Sequence, residues 1–140
     1  MEITANAVQT VEENQNVLFT ETAVPGNCSI LYREGSGLVT LRGITSTQCR
    51  ARFRVFFSGN IAVPASGTAG PISLTIAING ESITATKMIF TPAAVSEYGN
   101  VSSAIFIDVP ACCCQTISVK NTSNQAIEVQ NANLIVERVA

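Results

Sequence analysis

The chain has no histidine. That absence removes the side chain that most often acts as a general base near neutral pH and as the partner of a serine or cysteine nucleophile. Most hydrolase mechanisms are excluded with it. Charge is scarce as well: eight basic and ten acidic residues leave a formal charge of −2, without the clustered lysines and arginines of a nucleic-acid surface. No stretch approaches the roughly 18 consecutive apolar residues of a membrane-spanning helix. The N-terminus, Met1-Glu2-Ile3-Thr4-Ala5-Asn6-Ala7-Val8, lacks the basic region and apolar core of a secretory signal. We therefore expect no nucleic-acid partner, no membrane insertion and synthesis in a cytosol. Tryptophan is missing too, so no Cys-Trp-Cys spacing supports an immunoglobulin-like sandwich. Without heptads, collagen-like glycine periods or low-complexity tracts, the chain is not a fibrous stalk.

What is present is β-structure. Gly70-Pro71-Ile72-Ser73-Leu74-Thr75-Ile76-Ala77-Ile78 alternates up to Asn79-Gly80, and Ser82 to Phe90 alternates away from it. Asn and Gly accept the positive φ values of a type I′ turn, whose twist matches the strands it joins, so a hairpin is predicted here. Similar segments recur near residues 2–11, 16–24, 29–33, 37–42, 50–57, 102–109, 115–120 and 126–138. They are separated by turn formers such as Ser58-Gly59-Asn60 and Gly99-Asn100. Many short strands without a βαβ rhythm predict an all-β, two-sheet antiparallel jelly-roll sandwich of eight to ten strands. Residues 1–14 read as an N-terminal extended arm or strand, and 15–140 as a single jelly-roll domain. One helix of about two turns is predicted over 92–98, with Pro92 at its first position.

The ten carboxylates lie mostly beside turns or at the chain ends, and no pair is set for glycosidase-like acid and base work. No enzyme activity and no cofactor are expected. Five cysteines are present, which the ordinary behaviour of free thiols makes small buried hydrophobes. The consecutive Cys112, Cys113 and Cys114 lack the Cys-x₂-Cys spacing of structural zinc, and strand geometry points neighbours to opposite faces. A Cys28–Cys49 bridge or an intermolecular bridge from the triplet are the alternatives.

Arg50, Arg52 and Arg54 alternate with Ala51, Phe53 and Val55, so period two places guanidinium groups on one face and apolar groups on the other. The arginines suit an interface row or a solvated sheet face. A mean hydropathy of +0.31 with so few charges predicts contact surface and hence a homo-oligomer. The interface candidates are Arg50, Arg52, Phe53, Arg54, Val55, Phe57, Leu134 and Val136.

Three segments carry a family resemblance: Phe53-Arg54-Val55-Phe56-Phe57-Ser58-Gly59-Asn60-Ile61, Gly70 to Gly80, and Leu134-Ile135-Val136-Glu137-Arg138-Val139. In order and character they resemble the C1q/TNF-like jelly-roll heads. Gln15 to Glu21, Arg33 to Gly43 and Val129 to Arg138 are similar, more narrowly, to small proteins of Firmicutes and their phages. The resemblance implies threefold assembly through aromatic and aliphatic residues of one sheet. It further implies a structural virion protein, a capsid decoration or fibre-head module that binds a capsid shell or fibre protein and is assembled in the bacterial cytoplasm. The alternatives are an adhesive head on a bacterial cell or spore surface that binds a glycan or receptor, marked by Tyr98 and Glu97, and a self-polymerising, cysteine-linked filament subunit.

Overall fold

A computed structural model describes all of residues 1–140 and shows two antiparallel six-stranded sheets packed face to face. The strands are β1 (Glu2–Ala5), β2 (Gln9–Val11), β3 (Glu21–Val24), β4 (Ile30–Tyr32), β5 (Val39–Arg42), β6 (Arg50–Ala62), β7 (Ile72–Ile78), β8 (Glu81–Ser82), β9 (Met88–Phe90), β10 (Gly99–Pro110), β11 (Cys114–Asn121) and β12 (Ile127–Arg138). The first sheet runs β10-β6-β12-β1-β3, with β2 also paired to β12. The second runs β4-β5-β11-β7-β8, with β9 also on β7.

Each inner face follows from alternation. Along β6, Ala51, Phe53, Val55, Phe57 and Ile61 are fully buried, as are Leu134 and Val136 of β12. They meet Val39, Leu41, Leu74, Ile76, Ile117 and Val119 of the second sheet in one core. Each large apolar side chain removed from water contributes about 1.5–3 kcal/mol. The first residues belong to this structure: Ile3, Ala5 and Val11 are buried core residues. β1 and β2 pair with successive stretches of β12, whose register shifts at Asn131, a residue at φ +54°.

Four sequence expectations are altered. Strand β6 runs through Ser58-Gly59-Asn60 without turning, because Gly59 packs where a Cβ would lie 3.0 Å from the Phe57 ring. Likewise β10 begins at Gly99, where a Cβ would stand 2.5 Å from Phe90. These glycines provide close packing within strands. No helix forms over 92–98: Ser96 sits at φ +60° and its N–H donates to the Val63 carbonyl (2.7 Å), which holds this segment as a loop on the end of β6. The Asn79-Gly80 turn is present, with φ +51° and +83°. Its second arm pairs only through β8, is interrupted by a 3₁₀ turn at Thr84–Thr86, and rejoins β7 as β9. Thr86 bridges the gap, its hydroxyl contacting both the N–H (3.0 Å) and the carbonyl (3.3 Å) of Ile76.

Asn121 is fully buried at the end of β11. Its Nδ2 donates to the carbonyls of Val11 (3.0 Å) and Gln125 (2.9 Å), and its Oδ1 accepts the Ser123 N–H (2.9 Å). The side chain therefore ties together the two sheets and a turn. Asn121→Ala leaves those groups unpaired in the interior and is expected to lower stability by about 2–4 kcal/mol, at roughly 1–3 kcal/mol for each buried group left unsatisfied. Urea unfolding checks this.

Candidate self-association face

The outer face of the first sheet carries the other half of the alternation. Strand β6 presents Arg50, Arg52, Arg54, Phe56, Ser58 and Asn60. The registers place Pro110, Asp108, Phe106, Ala104, Ser102 and Asn100 of β10 beside them in that order. On the other side β12 brings Glu137 beside Arg54, Ile135 beside Phe56, Asn133 beside Ser58 and Gln130 beside Asn60.

The result is a layered surface. One end is ionic: Arg52 grips Asp108 with two hydrogen bonds (Nε to Oδ1 2.7 Å, Nη2 to Oδ2 3.0 Å), Arg50 Nε approaches Asp108 Oδ2 at 2.8 Å, and Arg54 Nη1 reaches Glu137 Oε1 at 3.3 Å. The other end is an amide ladder in which Asn100 donates to Asn60 (3.0 Å) and Asn60 to Asn131 (3.2 Å). Between them lie Ala104, Phe56 and Ile135 in one row, and next to that row Phe106, 63% exposed, stands beside Arg54. Among the large hydrophobic side chains only Ile89, at 62%, approaches that exposure. An apolar centre with a polar rim, parts of which are paired within the chain, has the anatomy of a contact surface.

The hydrogen bonds from Arg52 to Asp108, reinforced by the charges of Arg52 and Arg50, hold the Asp108 carboxyl below its ordinary range, and the same pairing raises Arg52. A carboxyl depressed in the folded state adds stability that is present above its unfolded pKa of about 3.9 and is lost as pH falls through the folded value. Thermal melts of the wild type are expected to show this loss below about pH 4. Asp108→Asn is expected to remove that component while leaving the neutral-pH fold intact.

The structure separates the candidates drawn from sequence. Arg50, Arg52 and Arg54 do line the outer face, and their carboxylates come from neighbouring strands of the same chain. Phe53, Val55, Phe57, Leu134 and Val136 point the other way and are buried within one chain, so they are core and not interface. The apolar residues at the centre of the outer face are Phe56, Ala104, Phe106 and Ile135, with Pro110 and Val24 at its margins. Their signal was the continuation of the arginine period to Phe56, but Phe106 and Ile135 join it only through register. Tyr98 donates to Glu128 Oε2 (2.9 Å), not to its neighbour Glu97. Burial first and that hydrogen bond second raise the Tyr98 pKa. The cysteines are not buried hydrophobes: Cys28, Cys49, Cys112, Cys113 and Cys114 are all exposed and free.

No protein-family model matches this chain, and no curated protein is significantly similar to it in sequence. Among solved structures it is similar to the globular domain of the zebrafish complement 1qA protein, at 11% identity and a TM-score of 0.63, over 96% of this chain and 93% of that one. It is also similar to murine APRIL, at 11% identity and a TM-score of 0.59, over 92% and 97%. At such identities the likeness is one of fold, and the fold is a C1q/TNF-like jelly roll.

Proposed function

We propose that the protein is a non-enzymatic head module that assembles as a homotrimer through the outer face of its first sheet. The observation that carries this reading is the apolar centre of that face, Phe56, Ala104, Phe106 and Ile135, framed by intrachain ionic and amide ladders. Burying such a centre supplies the driving force for association, while the ladders set its orientation. The second sheet then faces outward; its strands β5 and β11 contribute Thr40, Arg42, Thr116 and Lys120. Within the C1q/TNF-like resemblance, the narrower likeness to proteins of Firmicutes and their phages supports a virion role: a capsid decoration or fibre head made in the bacterial cytoplasm and bound to a shell or fibre protein.

A second reading, a glycan-binding adhesive head at a bacterial cell or spore surface, is favoured by an open groove of about 420 Å³ lined by Thr68, Ala69, Gly70, Pro71, Asn124 and Gln125. Gln125 braces it by accepting the Thr68 N–H (3.1 Å) and donating to the Thr68 carbonyl (2.8 Å). Antibody raised against the purified protein separates the two readings when applied to density-gradient fractions of a culture of the source cells. Signal in the particle band supports the virion role. Signal confined to cell or spore envelopes overturns it in favour of the adhesive head, and signal in neither contradicts both.

A further inference from the structure

The chain's five cysteines come from three separate stretches of sequence, yet the fold gathers them at one end of the sandwich. Cys112 and Cys113 form the turn between β10 and β11, and Cys114 opens β11 opposite Arg42. Gly43 follows directly: its N–H donates to the Cys113 carbonyl (2.8 Å) and its own carbonyl accepts the Cys112 N–H (3.0 Å). The approach is so close that a Cβ on Gly43 would collide with the Pro110 carbonyl oxygen. Cys49 joins through its carbonyl, which accepts the Ala111 N–H (2.9 Å). Cys28 joins through its carbonyl, which accepts from Arg42 Nη1 (3.3 Å). Arg138 braces the group by donating to the Ile44 carbonyl (2.5 Å) and to Ser29 Oγ (3.3 Å). The last residues lie here as well, hydrogen-bonded to Arg52. At the opposite end, the loops at 63–71, 91–98 and 122–126 contain no cysteine.

All five thiols are exposed, and Cys112 is held at φ +65°, a left-handed conformation uncommon for a residue with a side chain. Sequence neighbours have Cα atoms about 3.8 Å apart, short of the roughly 4.4–6.8 Å of an unstrained disulfide. The pairs Cys112–Cys113 and Cys113–Cys114 are therefore disfavoured. Five thiols cannot all pair within one chain, so under oxidising conditions at least one thiol of this pole is left for another molecule. An identical chain presents the same array on the same pole, so a twofold contact satisfies both partners at once.

We propose that this pole is a covalent self-docking site, where a second copy of the assembly is joined pole to pole by disulfides between the two Cys112–Cys114 turns. Because the far end carries no thiols, the linkage closes after two assemblies and does not propagate as a filament. The oxidant is a small-molecule disulfide. A thiolate of one copy attacks it, forming a mixed disulfide and releasing one small thiol. A thiolate of the second copy then attacks the protein sulfur and releases the other. Two protein thiols lose two protons and two electrons, and the small disulfide is reduced to two thiols.

The test is the light-scattering mass of the protein kept in reductant, then treated with oxidised glutathione, then reduced again. A twofold rise on oxidation, reversed on reduction, is expected, together with a two-chain band on non-reducing electrophoresis. The variant carrying Cys112→Ser, Cys113→Ser and Cys114→Ser should keep the reduced mass and thermal melt and lose the doubling, whereas Cys28→Ser with Cys49→Ser should keep it. An unchanged mass, an open series of larger species, doubling that survives in the triplet variant, or zinc retained in stoichiometric amount by the reduced protein overturns the proposal. The reduced mass reports on trimer assembly separately, so the two can fail independently.

Discussion

Phe106→Asp is expected to convert the assembled protein into single folded chains. Phe106 is 63% exposed in the isolated chain and supports no part of the core, so the substitution costs the monomer little. In the assembly it would set a carboxylate at the margin of the apolar centre, opposite Arg54, whose guanidinium already pairs with Glu137 (3.3 Å). Burying a second carboxylate against one guanidinium in place of an aromatic ring is unfavourable. Central aromatic residues of interfaces are typically worth 2 kcal/mol or more, so dissociation constants should rise by on the order of 30-fold at the least. Sedimentation velocity at micromolar concentration reads the change. Ile89→Asp is the matched control, since Ile89 is 62% exposed but lies on β9 of the second sheet. It should leave the assembly intact. If the two variants behave alike, the first-sheet face is not the interface.

Phe57→Ala is expected to produce the opposite phenotype, a large loss of stability arising inside one chain. Phe57 is fully buried and meets Phe19 edge to face, with ring centroids 6.4 Å apart and planes at 74°. Truncating a core phenylalanine typically costs about 3–5 kcal/mol, through lost burial and the cavity left behind. That is a large share of the roughly 5–15 kcal/mol by which domains are stable. The measurement belongs in the Phe106→Asp background, because assembly would otherwise add its own concentration-dependent stabilisation. A loss below about 1 kcal/mol, far under the range for such truncations, would show that Phe57 is not a core residue.

The contrast between Phe57 and Phe106 shows what was legible in the sequence. Alternation along residues 50–57 divides the strand correctly into an arginine face and an apolar face, and Asn79-Gly80 fixes a turn by local chemistry alone. Alternation cannot say which of two apolar sets meets the core, since Phe56 shares its face with the arginines while Phe53 and Phe57 share the other. That choice is made by the opposing sheet. Register is equally invisible: Asp108 lies 56 residues from Arg52, and only the β6–β10 pairing brings it there. Gly59 and Gly99 read as turns because glycine marks both turns and tight packing, and the ring that requires each one is a tertiary feature. The cysteines appeared as isolated features because three separate connections must fold before they share a pole.

The solution mass of the wild-type protein in reductant, measured by size-exclusion chromatography with light scattering, tests the central claim most directly. Self-association through the first-sheet face predicts three chains per particle, independent of reductant concentration. A single chain at micromolar concentration would contradict it, leaving Phe106 and its neighbours as an exposed patch with no partner of their own kind.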